Sequence, residues 1–276
     1  MIAVLWMTGT LASFCLMAVA ARELTGELSI FQALFFRSVI GLICLALVYI
    51  GLSNKPKISY KRLKLHVLRN VIHFAGQYGW FVGIALLPLA NVFALEFTVP
   101  VWTALIAALF LKESITRKKV LSITLGLMGV LIIVKPGVGI FELASLVVIG
   151  AAMCYAVAYT ATKALIVTES PFSILFYMCL IQLPIGLVGS LNGWLWPEGM
   201  QWLWLTLIGI TALSAHFCIS KAMSHADVTV IVTLDFLRLP LIALVGVLLY
   251  QEAFELSLIL GAAVMLLGNL LNTYKR

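Results

Sequence analysis

Charge is what this chain has least of. Of its 276 residues, 11% are Asp, Glu, Lys or Arg and 63% are hydrophobic, with a mean hydropathy of +1.13. A water-facing surface needs about a quarter of its residues charged, so a soluble globular domain is excluded. Acid is scarcer than base, 11 residues against 18, which leaves a net charge of +7. That surplus does not point to nucleic acid, because it sits in short segments between apolar runs, where membrane orientation accounts for it. Paired cysteines are missing as well. Cys15, Cys44, Cys154, Cys179 and Cys218 all fall in apolar runs, and none forms a CxxC or a Cys/His cluster. Neither a disulfide framework nor a metal site is indicated. There is no P-loop or other nucleotide motif, so no nucleotide-driven step and no cofactor are expected within the chain.

What remains is a series of membrane-length apolar runs. Ten spans are expected, at about 2–21, 29–51, 67–87, 89–111, 118–135, 143–163, 172–190, 202–222, 228–250 and 256–273. Their breaks have chemical causes. Arg22-Glu23 ends the first, Ser53 to Lys64 is the one long polar loop, and Pro88 divides the third from the fourth. Lys135-Pro136-Gly137 stops the fifth and Pro171 opens the seventh. Ala18-Val19-Ala20 resembles a signal-peptidase site, yet no basic residue precedes the run and it is longer than a usual signal core. It is therefore expected to be a retained first span.

Basic residues test this count. With the N-terminus in the cytoplasm and ten alternating spans, cytoplasmic segments hold Lys55, Lys57, Lys61, Arg62, Lys64, Arg69, Lys112, Arg117, Lys118, Lys119, Lys163, Lys221, Lys275 and Arg276, which is 14 of 18. Outside segments hold Arg22 and Lys135, while Arg37 and Arg238 lie within spans. The bias follows the positive-inside rule and puts both termini in the cytoplasm. Ten spans make two fives, and because five is odd the second set enters from the opposite face. The expected fold is thus an all-α integral membrane protein of two inverted five-helix repeats, 1–138 and 139–276, a plan that places a binding site between the halves.

Two stretches carry the repeat. Asn91 to Glu113 holds Glu96-Phe97, then Pro100, and ends in Leu111-Lys112-Glu113; Asp227 to Glu252 holds Asp235-Phe236, then Pro240, and ends in Tyr250-Gln251-Glu252. The offset is 235 − 96 = 139, and again 252 − 113 = 139. Ionisable groups are expensive in hydrocarbon and mark functional sites. Four are expected there: Arg37, Glu96, Asp235 and Arg238, summing to zero. Asp235 and Arg238 are three apart and share a helix face. Arg37 is the expected partner of Glu96. Arginine would hold a substrate carboxylate or phosphate with its planar fork. An acid would hold a substrate amine or a coupling proton. The bland alternative is two ion pairs that only lock helices together.

Neutral polar and aromatic residues extend the cavity lining. His73, Gln77 and Trp80 stand at i, i+4 and i+7 of one helix face. Tyr155 and Tyr159 are four apart, His216 is alone in its run, and Trp102 follows Pro100 as a wall. For each, helix packing is the competing role. Pro100 and Pro240 interrupt their helices and are candidate hinges. Glu113 and Glu252, at span ends, are read as structural. Trp194, Trp196, Trp202 and Trp204 form an interfacial belt.

These residues resemble the drug/metabolite transporter superfamily, specifically its EamA-type ten-span members. The resemblance rests on Ala85-Leu86-Leu87-Pro88-Leu89-Ala90, Pro100, and Leu111-Lys112-Glu113-Ser114-Ile115-Thr116 leading to Gly126 and Gly129. In the second half it rests on Ala222 to Ala226, Pro240, Tyr250-Gln251-Glu252 and Gly261 to Gly268. It implies a secondary carrier in the inner membrane, acting by alternating access on a small polar solute, amphoteric to match the charges, with export favoured. Uptake of a riboflavin- or S-adenosylmethionine-like solute is the alternative the same fold implies. A lipid flippase, a scaffold and an intramembrane enzyme using His73 or His216 are the rivals of another class. The expected partners are a small molecule, a coupling proton and membrane lipid. A reporter active only in the cytoplasm should give signal when fused at Lys57 or Arg276 and none at Gly137 or Gly193; signal at all four would refute the orientation.

Overall fold

The computed structural model describes residues 2–56, 58–110, 117–134, 143–223, 225, 235, 237–253 and 255–273. Among these residues there is no strand, and the helices are α1 (Ile2–Glu23), α2 (Ile30–Gly51), α3 (Leu63–Leu86), α4 (Leu89–Glu96), α5 (Val99–Phe110), α6 (Arg117–Val134), α7 (Leu143–Leu165), α8 (Pro171–Ser190), α9 (Gln201–Met223), α10 (Arg238–Tyr250) and α11 (Leu256–Thr273). Helices α1, α2 and α8, with most of α7 and α9, are long and apolar enough to cross a membrane. The fold is therefore that of an all-helical, multi-pass membrane protein. Its outer surface agrees: Ile43, Leu47, Val48 and Ile50 of α2 are each more than half exposed, as lipid-facing residues would be.

Local chemistry sets the helix ends. Ser29 caps α2 by accepting the Gln32 N–H at 3.2 Å, and Ser170 caps α8 by accepting the Ser173 N–H at 3.1 Å, with Pro171 at the first helical position. Pro88 separates α3 from α4 as expected. The fourth span departs from expectation. It is two helices, α4 and α5, with Phe97 and Thr98 as a turn between them. Pro100 has no N–H to give the Glu96 carbonyl, so the ladder cannot continue there. Next to the break, Thr98 donates its N–H and its hydroxyl to the Leu95 carbonyl, at 3.1 and 2.7 Å, which closes the end of α4. Pro100 thus stands in the first turn of a helix rather than inside one, and Pro240 likewise stands in the first turn of α10. Of the ninth span only Asp235, Leu237 and α10 are described, and the expected turn at Glu113–Thr116 lies outside the described residues.

Helices pair as α1 with α9, α2 with α8, α3 with α7, α4 with α10 and α6 with α11. One buried apolar cluster runs through the bundle, with Leu34, Trp80, Phe93 and Ile208 among its members. Where α2 meets α8 the backbones come close: a Cβ on Gly186 would lie 2.9 Å from the Phe35 Cα. Small residues at such crossings let membrane helices approach.

At one end of the bundle the helix termini are tied together. Gln251, with φ 54°, takes the left-handed conformation after α10 and turns Glu252 inward. The Glu252 carboxylate accepts the Leu89 N–H at 3.0 and 2.9 Å, which satisfies the start of α4, and pairs with Arg22 at 3.2 Å. Arg22 also donates to the Leu87 carbonyl at 2.5 Å, and the Tyr250 hydroxyl donates to Glu23 at 2.9 Å. Glu252 is structural, as its place at a span end suggests.

Gly186→Val should lower thermal stability in detergent by roughly 1–3 kcal/mol, the usual cost of overpacking. Gly150, whose Cβ would meet no described atom within 4 Å, is the control, and Gly150→Ala should leave the melting point unchanged.

Candidate functional site

Helices α4 and α10 supply the charged centre together with Asp235. Glu96 ends α4, Arg238 opens α10 and Asp235 lies three residues before it. The Arg238 guanidinium bridges both acids, with Nη2 2.7 Å from Asp235 and Nη1 3.3 Å from Glu96. Trp80 of α3 donates its indole N–H to the other Glu96 oxygen at 2.9 Å. Three phenyl rings surround the guanidinium, with Phe14, Phe97 and Phe93 centroids 4.5, 5.1 and 5.2 Å from its central carbon. Cation–π attraction thus adds to the ion pairs. Glu96 and Arg238 are buried, at 6% and 3% exposure.

Beside this triad lies a narrow cavity of about 20 Å³, lined by Phe14, Met17, Arg37, His73, Gln77, Trp80, Phe81, Glu96, Tyr155, Tyr159 and His216. The polar face expected on α3 is present: His73, Gln77 and Trp80 all reach the cavity. Tyr155 and Tyr159 stack with centroids 6.1 Å apart, and His73 meets His216 edge to face at 5.2 Å. Arg37 enters from α2. Its Nη2 donates to Gln182, while Nε and Nη1 are buried with no hydrogen-bond partner among the described residues. The cavity is therefore lined by a cationic residue, Arg37, and a carboxylate, Glu96, with aromatic residues between.

Several expectations change. Arg37 does not pair with Glu96; Gln182 takes Arg37, and Arg238 takes Glu96. The two separate pairs become one triad, because Arg238 reaches its helix neighbour and an acid from α4 together. Asp235 and Arg238 adjoin the cavity through Glu96 and do not line it, and Trp102 donates to Thr98 at 2.9 Å instead of forming a wall. Arg69, counted above as a cytoplasmic charge, is 2% exposed and bonds Thr162 at 3.1 Å and Asn70 at 2.5 Å. The signal was available: Arg69 stands four residues before His73, on the same helix face. Phe14, Met17 and Phe81 were missed because single apolar residues in apolar helices carry no mark.

Comparison with known proteins follows this geometry. The model of the EamA-like transporter family matches twice, over residues 1–135 and 142–274. An S-adenosylmethionine uptake transporter of Rickettsia bellii is 26% identical over 269 residues, covering 98% of this chain and 92% of that one. A riboflavin transporter of Vibrio cholerae is 33% identical over 207 residues, 74% of this chain and 69% of its own. A pseudopaline exporter of Pseudomonas aeruginosa is 25% identical over 259 residues, covering 93% and 90%. A solved crystal structure shares the fold, with a TM-score of 0.70 at 18% identity over 98% of this chain and 96% of that one. These relatives are transporters and not enzymes. With both halves matched by the family model, this chain belongs to the EamA-like transporter family.

Proposed function

We propose that this chain is a secondary carrier of a small amphoteric metabolite with an aromatic part, working by alternating access across the inner membrane. The observation that carries the reading is the cavity lined both by Glu96 and by Arg37, two of whose nitrogens have no partner among the described residues. An amphoteric solute meets both charges, and the rings of Tyr155, Tyr159 and His216 receive its apolar or aromatic part. The sequence alone favoured export. The 98% coverage by an S-adenosylmethionine uptake transporter turns the proposal toward uptake of a solute of that kind. A second reading, a neutral ring system such as riboflavin, is favoured by the same aromatic walls and by the match to a riboflavin transporter.

The two halves, 1–138 and 139–276, form an inverted repeat in this proposal. Three observations support it. The family model matches once in each half. Helices α5 and α10 start 139 residues apart (238 − 99), the same offset as the two acids. Most of the pairing scheme is also unchanged when the halves are exchanged: α1 with α9 becomes α7 with α3, and α2 with α8 and α6 with α11 map onto themselves.

Transport follows from partner exchange. Asp235 is a local neighbour of Arg238 and stays with it, whereas Glu96 comes from the other half and makes the longer contact. A substrate cation, or a coupling proton, takes Glu96 and releases it from Arg238. The tie between halves at the site is then undone and the halves are free to rock, with the helix starts at Pro100 and Pro240 as hinges. Removing one partner of a buried pair outright costs roughly 3–5 kcal/mol, so isosteric changes are the fair test.

In liposomes, counterflow of S-adenosylmethionine is expected for the wild type. Glu96→Gln and Asp235→Asn should each cut it at least tenfold at unchanged expression, which corresponds to about 1.4 kcal/mol or more. Arg37→Gln should raise KM for S-adenosylmethionine more than for its decarboxylated analogue. No solute moved from a panel of amino acids, nucleosides, S-adenosylmethionine and riboflavin, with turnover of lipid instead, would overturn the carrier reading.

A further inference from the structure

Behind the cavity wall, Gln182 of α8 joins the two polar groups that face the solute. Its Oε1 accepts Arg37 Nη2, and its Nε2 lies 3.0 Å from the Asn70 carbonyl and 3.1 Å from His73 Nδ1. The amide orientation is fixed from both ends. A guanidinium has only donors, so the oxygen must face Arg37; a carbonyl has only lone pairs, so the amide nitrogen must face Asn70. Gln182 Nε2 therefore points an N–H at His73, and Nδ1 must be a bare acceptor, since a proton there would set two donors against each other. The imidazole is then neutral with its proton on Nε2, and that nitrogen bonds nothing among the described residues while its ring lines the cavity. A carboxamide thus sets a histidine tautomer, as second-layer groups do around metal-bound imidazoles.

We infer that Gln182 is a positioning residue that makes Arg37 and His73 a joint donor clamp for an oxygen acceptor on the substrate, a carboxylate or a ring carbonyl. This rests on the carrier reading above and narrows it. The clamp holds acceptors and turns away a donor or cation, which leaves the cationic end of an amphoteric solute to Glu96. It also gives His73 a fixed role: it donates one hydrogen bond through Nε2 and takes no proton through Nδ1, which Gln182 already occupies. Gln182 is wholly buried and touches no cavity space of its own, so its influence on the solute passes through the two groups it holds.

Two readouts test this, and only one needs transport. In 15N-histidine-labelled protein in bilayers, with the His73 signals assigned by their loss in His73→Asn, the wild type should show the neutral Nε2–H tautomer. Gln182→Glu keeps an acceptor for Arg37 but withdraws the donor from His73, so the proton should move to Nδ1; Gln182→Leu should give the same loss of tautomer if the glutamate perturbs folding. An Nδ1–H form or an imidazolium in the wild type overturns the inference, whatever transport does. In counterflow, Gln182→Glu should raise KM roughly tenfold, the worth of one charge-assisted hydrogen bond, with kcat within about twofold. A rise for S-adenosylmethionine and not for its decarboxylated analogue identifies a carboxylate as the clamped group, and a rise for riboflavin identifies a carbonyl. Unchanged KM for all three in a variant whose tautomer has switched removes Gln182 from recognition. If the wild type moves none of them, the carrier reading fails while the tautomer result stands by itself.

Discussion

One guanidinium held between two carboxylates, away from water, is the constraint on which the rest of this structure depends. A lone charge at this depth would cost several kcal/mol, and Arg238 is tolerated because Asp235, Glu96 and three phenyl rings compensate it together. The arrangement has a price in backbone order. For Glu96 and Arg238 to meet, the end of α4 and the start of α10 converge inside the bundle, and the fourth span is broken there into α4 and α5. Irregular backbone at membrane depth is stable only when its polar groups find partners in protein or cavity water. Thr98 supplies such a partner to the Leu95 carbonyl at that break.

Around the triad the polar residues form a layered network. Trp80 steadies Glu96 from α3, and two turns away on the same helix His73 belongs to the Arg37–Gln182 group. Helix α3 is therefore the spine of the site, with Arg69, His73, Gln77 and Trp80 spaced along one face. Buried charge is not balanced across this network. Arg37, Arg69 and Arg238 face Glu96 and Asp235, and Arg37, which lines the cavity, keeps two nitrogens unmatched among the described residues.

Much of the fold was legible because lipid imposes simple rules. Span length, proline and short basic loops located the helix ends within a few residues, from α1 at Ile2–Glu23 to α11 at Leu256–Thr273. The 139-residue echo picked out Glu96 and Asp235, and helical spacing found His73, Gln77 and Trp80. Partner choice was not legible. Nothing local tells whether Glu96 takes Arg37 or Arg238, since that depends on how α4 packs against α10. Gln182 carries no mark in its own segment, because its bonds run to three residues on other helices. Arg69 was misread because counting charges for orientation treats every basic residue near a span end as wet.

The knot at the bundle end has a wider meaning. Glu252 caps α4 from the link after α10, and Arg22 holds it from the end of α1, so three separate stretches of chain are fastened at one mouth. Parting them would trade a carboxylate for water at a helix start and dissolve a partly exposed ion pair, both of which dissolved salt makes easier. The ionic strength of the fluid bathing that end of the bundle would then set how firmly the three stretches stay joined.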